Sequence, residues 1–143
     1  MYLEHLVHFP TITTDIVVID SRSRFLLVKR NGNNTGWINC WATPGGRVLR
    51  NEMLTKAAHR ILKRETGLNV APRDFAFKGL QEIITPAQHA VTVVFKAQTV
   101  NSEVKLDDTS SDAKWFDSGE APEHLKPFYR SILSMCDLQL RTD

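Results

Sequence analysis

The feature that most constrains the fold is the stretch from Gly45 to Leu68, in which a pair of glycines precedes an amphipathic segment. On a helix with ~100° per residue its apolar side chains share one face, and Glu65 lies on that face about 40° from Ile61. The apolar positions of this face are Leu54, Ala57, Ala58, Ile61 and Leu68. The spacing predicts a helix over residues 53–66 that directs a carboxylate toward the protein interior.

A lone buried carboxylate needs a partner, because burial without one costs several kcal/mol. An ion pair with an arginine such as Arg60, or a bond to the backbone at the helix end, is the ordinary explanation. The turn of Pro44, Gly45 and Gly46 favours a second explanation, a bound ligand. Glycines let a ligand approach the backbone, and the start of a helix attracts anions. Gly67 is predicted to follow the helix in the left-handed conformation.

This stretch resembles the Nudix box, whose pattern is Gly-x5-Glu-x7-Arg-Glu-U-x-Glu-Glu-x-Gly-U, where U is a bulky aliphatic residue. The matching positions are Gly46, Glu52, Arg60, Leu62, Glu65, Gly67 and Leu68. The resemblance implies a Nudix-type α/β/α sandwich with a mixed β-sheet, and Mg²⁺ or alternatively Mn²⁺ as cofactor. Ile61 and Arg64 stand where the box usually has glutamates that bind metals. Attack on phosphorus assisted by several metals is therefore not expected.

A similar loss of two glutamates occurs in the GDP-mannose mannosyl hydrolase subgroup, which the stretches DIVVIDSRSRFLLVKR and WATPGGRV also resemble. That resemblance implies a single Mg²⁺ bound by Glu65 and the Gly45 carbonyl, with water attacking the sugar carbon. Glu52 is a further candidate metal ligand. The helix dipole is an alternative explanation for Glu52, since it favours an acid in the first turn.

The same resemblance assigns substrate-binding and catalytic roles to two arginines. Arg47 is expected to contact the diphosphate, and Arg30 is expected to stabilise the leaving nucleoside diphosphate. Asp15 matches an acidic residue that contacts the nucleotide or sugar. The alternatives are solvated surface charge for the arginines and, for Asp15, a strand-entry residue hydrogen-bonded to backbone.

No motif identifies the general base. With Trp115 as the anchor, the subgroup's histidine falls on Ser110, and neither Ser110 nor the preceding Thr109 is a base at neutral pH. His89 matches another histidine of the subgroup and is the candidate catalytic base, although a lone histidine at a strand start is more often structural. Glu82 is a weaker candidate. Its alternation with Leu80 and Ile84 predicts a mixed inward face, which could equally form a dimer contact or a core ion pair.

The predicted function is Mg²⁺-dependent hydrolysis of a nucleoside diphosphate linked to another moiety, most simply a nucleotide sugar such as GDP-mannose. One alternative is a Nudix-fold binding or regulatory module without turnover. The other is a slow nucleotide pyrophosphatase. The expected partner is thus a small nucleotide, and a homodimer is possible by analogy with the family.

Length and patterning predict one α/β domain over residues 1–143, large enough to form a core without disulfides. Strands are predicted at 12–19, 24–30, 75–84, 89–100 and 113–117, with a second helix after Pro127. Cys40 and Cys136 have no metal-site spacing. Because no membrane span or leader is apparent, we expect a cytoplasmic location without membrane contact.

Charge is unevenly distributed around the glycine turn. Between Lys29 and Arg64 there are eight lysines and arginines against one acid, Glu52, as a diphosphate ligand requires. These charges are spread over several predicted elements rather than one stripe, and residues 101–123 are acidic. We therefore expect no nucleic-acid partner.

Overall fold

The structure is a computed structural model that describes residues 9–31 and 39–138. It confirms the predicted α/β fold with a mixed sheet. The strands are β1 (Thr11–Ile19), β2 (Phe25–Arg30), β3 (Trp41–Ala42), β4 (Gly45–Arg47), β5 (Ala76–Thr85), β6 (Gln88–Gln98) and β7 (Ser110–Phe116). The helices are α1 (Leu54–Thr66) and α2 (Pro127–Met135), and a 3₁₀ turn covers Pro72–Asp74.

The five strands of the main sheet run in the order β3-β2-β1-β6-β5, and β1 and β6 are parallel. The other pairs are antiparallel. β4 pairs with β1 so that Gly45 lies opposite Asp15, and β7 pairs with β2 so that Ser110 lies opposite Arg30. The pairing thereby gathers several predicted site residues at one end of the sheet, although they are far apart in the chain.

Each face of the sheet is covered by one helix, which gives the predicted three-layer sandwich. On one face α1 buries Ala58, Ile61 and Leu62 against Ile16 of β1 and its neighbours. The opposite face is covered by α2, whose buried side chains are Tyr129, Ile132 and Leu133. Because β1 contacts both cores, its residues from Thr14 to Ile19 are all buried, as expected for a central parallel strand.

Helix α1 ends where predicted, and it directs Glu65 inward as predicted. Glu65 is 2% exposed, which confirms that the acid points inward. Gly67 has φ 76° and donates its N–H to the Lys63 carbonyl, so the left-handed residue past the helix is also confirmed. Within the described ranges, neither helix has the length and apolar character needed to cross a membrane.

Strand β5 lies at the edge of the sheet, and its outward side chains are uncovered. Leu80 is 58% and Ile84 66% exposed. A core ion pair on the predicted inward face of Leu80, Glu82 and Ile84 is therefore wrong, because α1 does not extend over this edge, whereas the dimer alternative for this face is untested. Phe77 is likewise 62% exposed on the same strand. A homodimer stays a prediction.

Candidate functional site

A cleft of about 1050 Å³ opens at the end of the sheet where β1, β4 and β6 meet. Its walls include Asp15, Arg30, the strand Gly45–Arg47, and the paired threonines Thr13 and Thr92. The hydroxyls of these two threonines are hydrogen-bonded at 2.6 Å across the parallel strands. The cleft is thus polar where the parallel strands β1 and β6 begin, and the two arginines in its lining are those predicted to bind a diphosphate.

Asp15 is buried beside the glycine turn, with 7% of its surface exposed. Burial raises the pKa of its carboxyl to about 6, although a hydrogen bond from the Thr43 hydroxyl at 2.7 Å and the charge of Arg30 oppose this effect. The bond to a side chain departs from the strand-entry alternative, which assumed a backbone partner. A Cβ added to Gly45 would come within 2.8 Å of the Asp15 carboxyl carbon, so only glycine fits there.

The Arg30 guanidinium bridges the two groups predicted to bind a metal. Its Nη1 donates to Glu65 Oε1 at 3.2 Å, and its Nη2 donates to the carbonyls of Gly45 at 3.1 Å and Thr43 at 3.3 Å. Glu65 Oε1 also accepts the Gly45 N–H at 3.3 Å. Glu65 therefore has an arginine partner from β2 in the structure, in addition to Arg64 of its own helix.

Burial raises the pKa of Glu65, and the opposing effects of Arg30, the Gly45 N–H and Arg64 do not cancel this rise. Burial alone would lower the pKa of Arg30, but the charge of Glu65 raises it above its usual value. A second guanidinium, that of Arg64, lies 3.4 Å from Glu65 Oε2. The carboxylate is thus flanked by two positive charges.

Arg60 does not contact Glu65 in this arrangement and instead pairs with Glu52. Its Nε and Nη2 donate to the two Glu52 oxygens at 2.7 and 2.9 Å. Glu52 also accepts the Leu49 N–H at 2.9 Å, and Arg60 donates to the Arg47 carbonyl. These bonds, chiefly those from Arg60, lower the pKa of Glu52 to about 2. The pair ties α1 to the turn that carries Arg47, and a metal-ligating role for Glu52 stays a prediction.

The oxygen atoms of Glu65 and Gly45 do not form a ligand set suited to the divalent cation that the Nudix resemblance implies. Mg²⁺ prefers several oxygen ligands in near-octahedral geometry. Here the Glu65 carboxylate and the Gly45 carbonyl are close together, and both accept hydrogen bonds from Arg30. Of the neighbouring acids, Asp15 accepts a hydrogen bond from Thr43 and Asp107 lies 3.9 Å from Arg64. Ile61, at a position where the box has a glutamate, is fully buried in the core. Within residues 9–31 and 39–138, no three His, Cys, Asp or Glu side chains are grouped to bind a metal.

His89 lies at the rim of the cleft on the hairpin between β5 and β6. Its ring nitrogen is 2.9 Å from Glu82 Oε2. By strand alternation His89 shares its face with Val91 and Val93, whereas Thr92 faces the cleft. The ring is therefore directed to the other side of the sheet from Asp15, and a catalytic role for His89 stays a prediction without support from this placement.

Thr43 and Tyr129 are among the site residues that sequence reasoning did not identify. Thr43 bonds to Asp15 through its hydroxyl and to Arg30 through its carbonyl, but a threonine before Pro-Gly-Gly carries no recognisable signal. Tyr129 of α2 also lines the cleft, and burial raises its pKa well above the usual value. A tyrosine within an amphipathic helical segment carries no signal of its own.

Comparison with known proteins gives consistent results. The sequence model described as the NUDIX domain matches residues 10–136. An ADP-ribose pyrophosphatase of Methanocaldococcus jannaschii is 30% identical over 116 residues, which cover 80% of this chain and 66% of that protein. This chain thus spans slightly less than two thirds of the length of that relative.

Solved structures share the fold at lower sequence identity. The MutT protein from Methanosarcina mazei superposes with a TM-score of 0.79 and 23% identity, covering 92% of this chain and 96% of that one. The NUDIX domain of Shewanella oneidensis NrtR, solved with ADP ribose, superposes with a TM-score of 0.76 and 20% identity, covering 95% and 92%. Both likenesses concern the fold.

Proposed function

This chain belongs to the Nudix family, and from that premise we propose that it hydrolyses a nucleoside diphosphate linked to a second moiety, with ADP-ribose as the first substrate to test. ADP-ribose is chosen because the relative with 30% identity is named an ADP-ribose pyrophosphatase. GDP-mannose, which the sequence resemblance implied, has no support from these relatives and becomes the comparison substrate.

The observation that carries this proposal is the placement of two arginines around the glycine turn. Arg30 and Arg47 both line the cleft; Arg47 follows Gly46 directly in the chain, and Arg30 donates to the Gly45 carbonyl. A guanidinium recognises phosphate oxygens in a planar, bidentate manner, and its charge persists at any physiological pH. The diphosphate would lie against this turn, where the glycines leave the backbone accessible.

The rest of the cleft is suited to a sugar and a base. Its hydroxyl and amide side chains include Thr13, Thr92 and Gln88, which can bond to sugar hydroxyls. Phe9 is 73% exposed at the cleft and offers an aromatic surface for stacking. A volume of about 1050 Å³ accommodates a ligand with two nucleoside-sized parts.

In this proposal Arg30 and Arg47 neutralise charge on the diphosphate as water attacks and a phosphate group departs. Preorganised positive charge of this kind is commonly the largest electrostatic contribution to such a reaction. The general base that accepts the proton from water has no assigned residue.

A second candidate function is a binding module without turnover. Its support is the contact of Arg30 with Glu65, together with Ile61 and Arg64 at positions that are acidic in the usual box. Such a module would bind the same ligand in the same cleft, so binding and hydrolysis must be measured separately.

The test is incubation of the protein with ADP-ribose, GDP-mannose or a nucleoside triphosphate in ¹⁸O-labelled water, followed by phosphorus NMR, with Mg²⁺ or with EDTA. We expect ADP-ribose to be consumed, and the position of the label distinguishes attack at phosphorus from attack at the sugar carbon. An Arg47→Met variant should lose at least about tenfold in kcat/KM. Arg50→Met, three residues further on and outside the cleft lining, is the matched control.

Two outcomes would count against hydrolysis. If no compound is consumed but ADP-ribose still raises the melting temperature, the binding module is the correct function. If ADP-ribose is neither consumed nor bound, both proposals fail.

A further inference from the structure

We propose that the Arg30 guanidinium replaces the divalent cation at this site, so that the protein binds the diphosphate without metal. The inference rests on the proposed function for the identity of its ligand. The replacement of the cation by Arg30 depends only on the contacts around Glu65, so this part can be tested without any nucleotide.

The Arg30 guanidinium occupies the position that a metal would take. A cation shared by Glu65 and the Gly45 carbonyl would occupy the space between their oxygens, where the Arg30 nitrogens already lie 3.2 and 3.1 Å from them. The Thr43 carbonyl accepts a third bond from the same guanidinium. A guanidinium has five N–H donors, so within the described residues these contacts leave two for the oxygens of a phosphate.

The helix face that carries Glu65 has lost the negative charge of the usual Nudix box. In the usual pattern three glutamates occupy the positions of Ile61, Arg64 and Glu65, with a formal charge of −3. In this chain the same positions sum to zero, because Ile61 is neutral and Arg64 offsets Glu65. A divalent cation would therefore lose most of its attraction to this helix face and would also meet the charge of Arg30.

Arg30 is held in place by its contacts. Its side chain is 18% exposed and is bonded to two backbone carbonyls as well as to Glu65. If the guanidinium moved out to admit a metal, the Thr43 and Gly45 carbonyls would lose this donor within a largely buried site, and Glu65 would keep only the Gly45 N–H and Arg64. The arrangement thus favours a fixed organic cation that binds phosphate directly.

The first experiment titrates Mn²⁺ into the ligand-free protein and follows the free ion by electron paramagnetic resonance. We expect weak Mn²⁺ binding by the wild type, and binding at least about tenfold tighter by Arg30→Met, because the competing charge is removed and Glu65 is released. Adding Glu65→Gln to Arg30→Met should abolish the gain. Arg24→Met is the matched control, since Arg24 also pairs with a buried aspartate but lies in the turn between β1 and β2.

The proposal is overturned if the wild type binds Mn²⁺ tightly and Glu65→Gln removes that binding. It is also overturned if Arg30→Met retains its circular dichroism spectrum and gains no Mn²⁺ affinity. Wild-type titration remains decisive even if the Arg30 variant does not fold.

The second experiment measures ADP-ribose affinity of the wild type by calorimetry in EDTA and in excess Mg²⁺. We expect the two dissociation constants to agree within about twofold, whereas a loss of about tenfold or more in EDTA would contradict the proposal. Absence of binding in both conditions would refute the proposed ligand instead. The Mn²⁺ titration would then still decide whether Arg30 occupies the metal position.

Discussion

The replacement of Asp15 by asparagine tests the electrostatics of the cleft most directly. The carboxyl is 7% exposed and burial raises its pKa to about 6, from an ordinary value of 3.8. At about 1.4 kcal/mol per pH unit, this difference corresponds to a destabilisation of about 3 kcal/mol when the carboxyl is ionised. The amide of Asp15→Asn would remain neutral at every pH, and its side-chain oxygen could still accept the hydrogen bond from Thr43.

The direction of the pH dependence of stability follows from the raised pKa of Asp15. The folded protein binds the proton more tightly than the unfolded chain, so this contribution favours folding below about pH 4 and is lost as the pH rises through about 6. Asp15→Asn should therefore be more stable than the wild type by up to about 3 kcal/mol at pH 8. The gain should shrink steadily between pH 6 and pH 4.5.

Urea unfolding at several pH values between 4.5 and 8 measures this difference. Asp20→Asn is the control of opposite sign, because hydrogen bonds from Arg24 and Arg22 outweigh burial and lower the pKa of Asp20. That variant should lose stability at pH 8, and its loss should diminish only toward acid pH. If Asp15→Asn is less stable than the wild type at pH 8, or if its gain is the same at every pH, the reasoning is refuted.

Three further substitutions test the packing and pairing around the cleft. Gly45→Ala should lower the free energy of unfolding in urea by about 2–3 kcal/mol, because the added Cβ would lie 2.8 Å from the Asp15 carboxyl carbon. Gly46→Ala, whose added Cβ has its nearest contact at 3.4 Å, should lower it by less than half as much. Glu52→Gln should lower the free energy of unfolding by about 1–2 kcal/mol at pH 7, because the charged bonds with Arg60 are lost. Since the pKa of Glu52 is lowered to about 2, urea unfolding should show this loss shrinking as the pH falls from 4.5 toward 2. Gly67→Ala should lower the free energy of unfolding by about 1 kcal/mol in thermal denaturation, since φ is 76° there; an equally stable variant would contradict the left-handed conformation.

The sequence was most informative where a pattern is local. Helical periodicity predicted α1 and the inward direction of Glu65, and both were confirmed because side-chain direction on a helix depends only on spacing. The partner of Glu65 could not be obtained in this way. Arg30 lies 35 residues earlier and reaches Glu65 only because β2 runs beside β1. Arg60, the partner suggested by proximity in sequence, is bound by Glu52.

The edge strand β5 shows a second limit of prediction from the sequence. Alternation in β5 predicted an inward face, but alternation does not reveal whether another layer covers that face. Leu80 and Ile84 are exposed because β5 lies beyond the extent of α1. The buried threonine beside Asp15 was missed for a related reason, since its role arises from the approach of β4 to β1.

The parallel pairing of β1 with β6 has a consequence for how the cleft forms during folding. The bond between Thr13 and Thr92 joins residues 79 apart, so one wall of the cleft comes from the beginning of the described chain and the other from its later half. Contacts of such long sequence separation form late in folding. Ligand recognition should consequently arise only with the complete tertiary structure, and a nucleotide that protects the protein from proteolysis would report the intact molecule rather than any of its fragments.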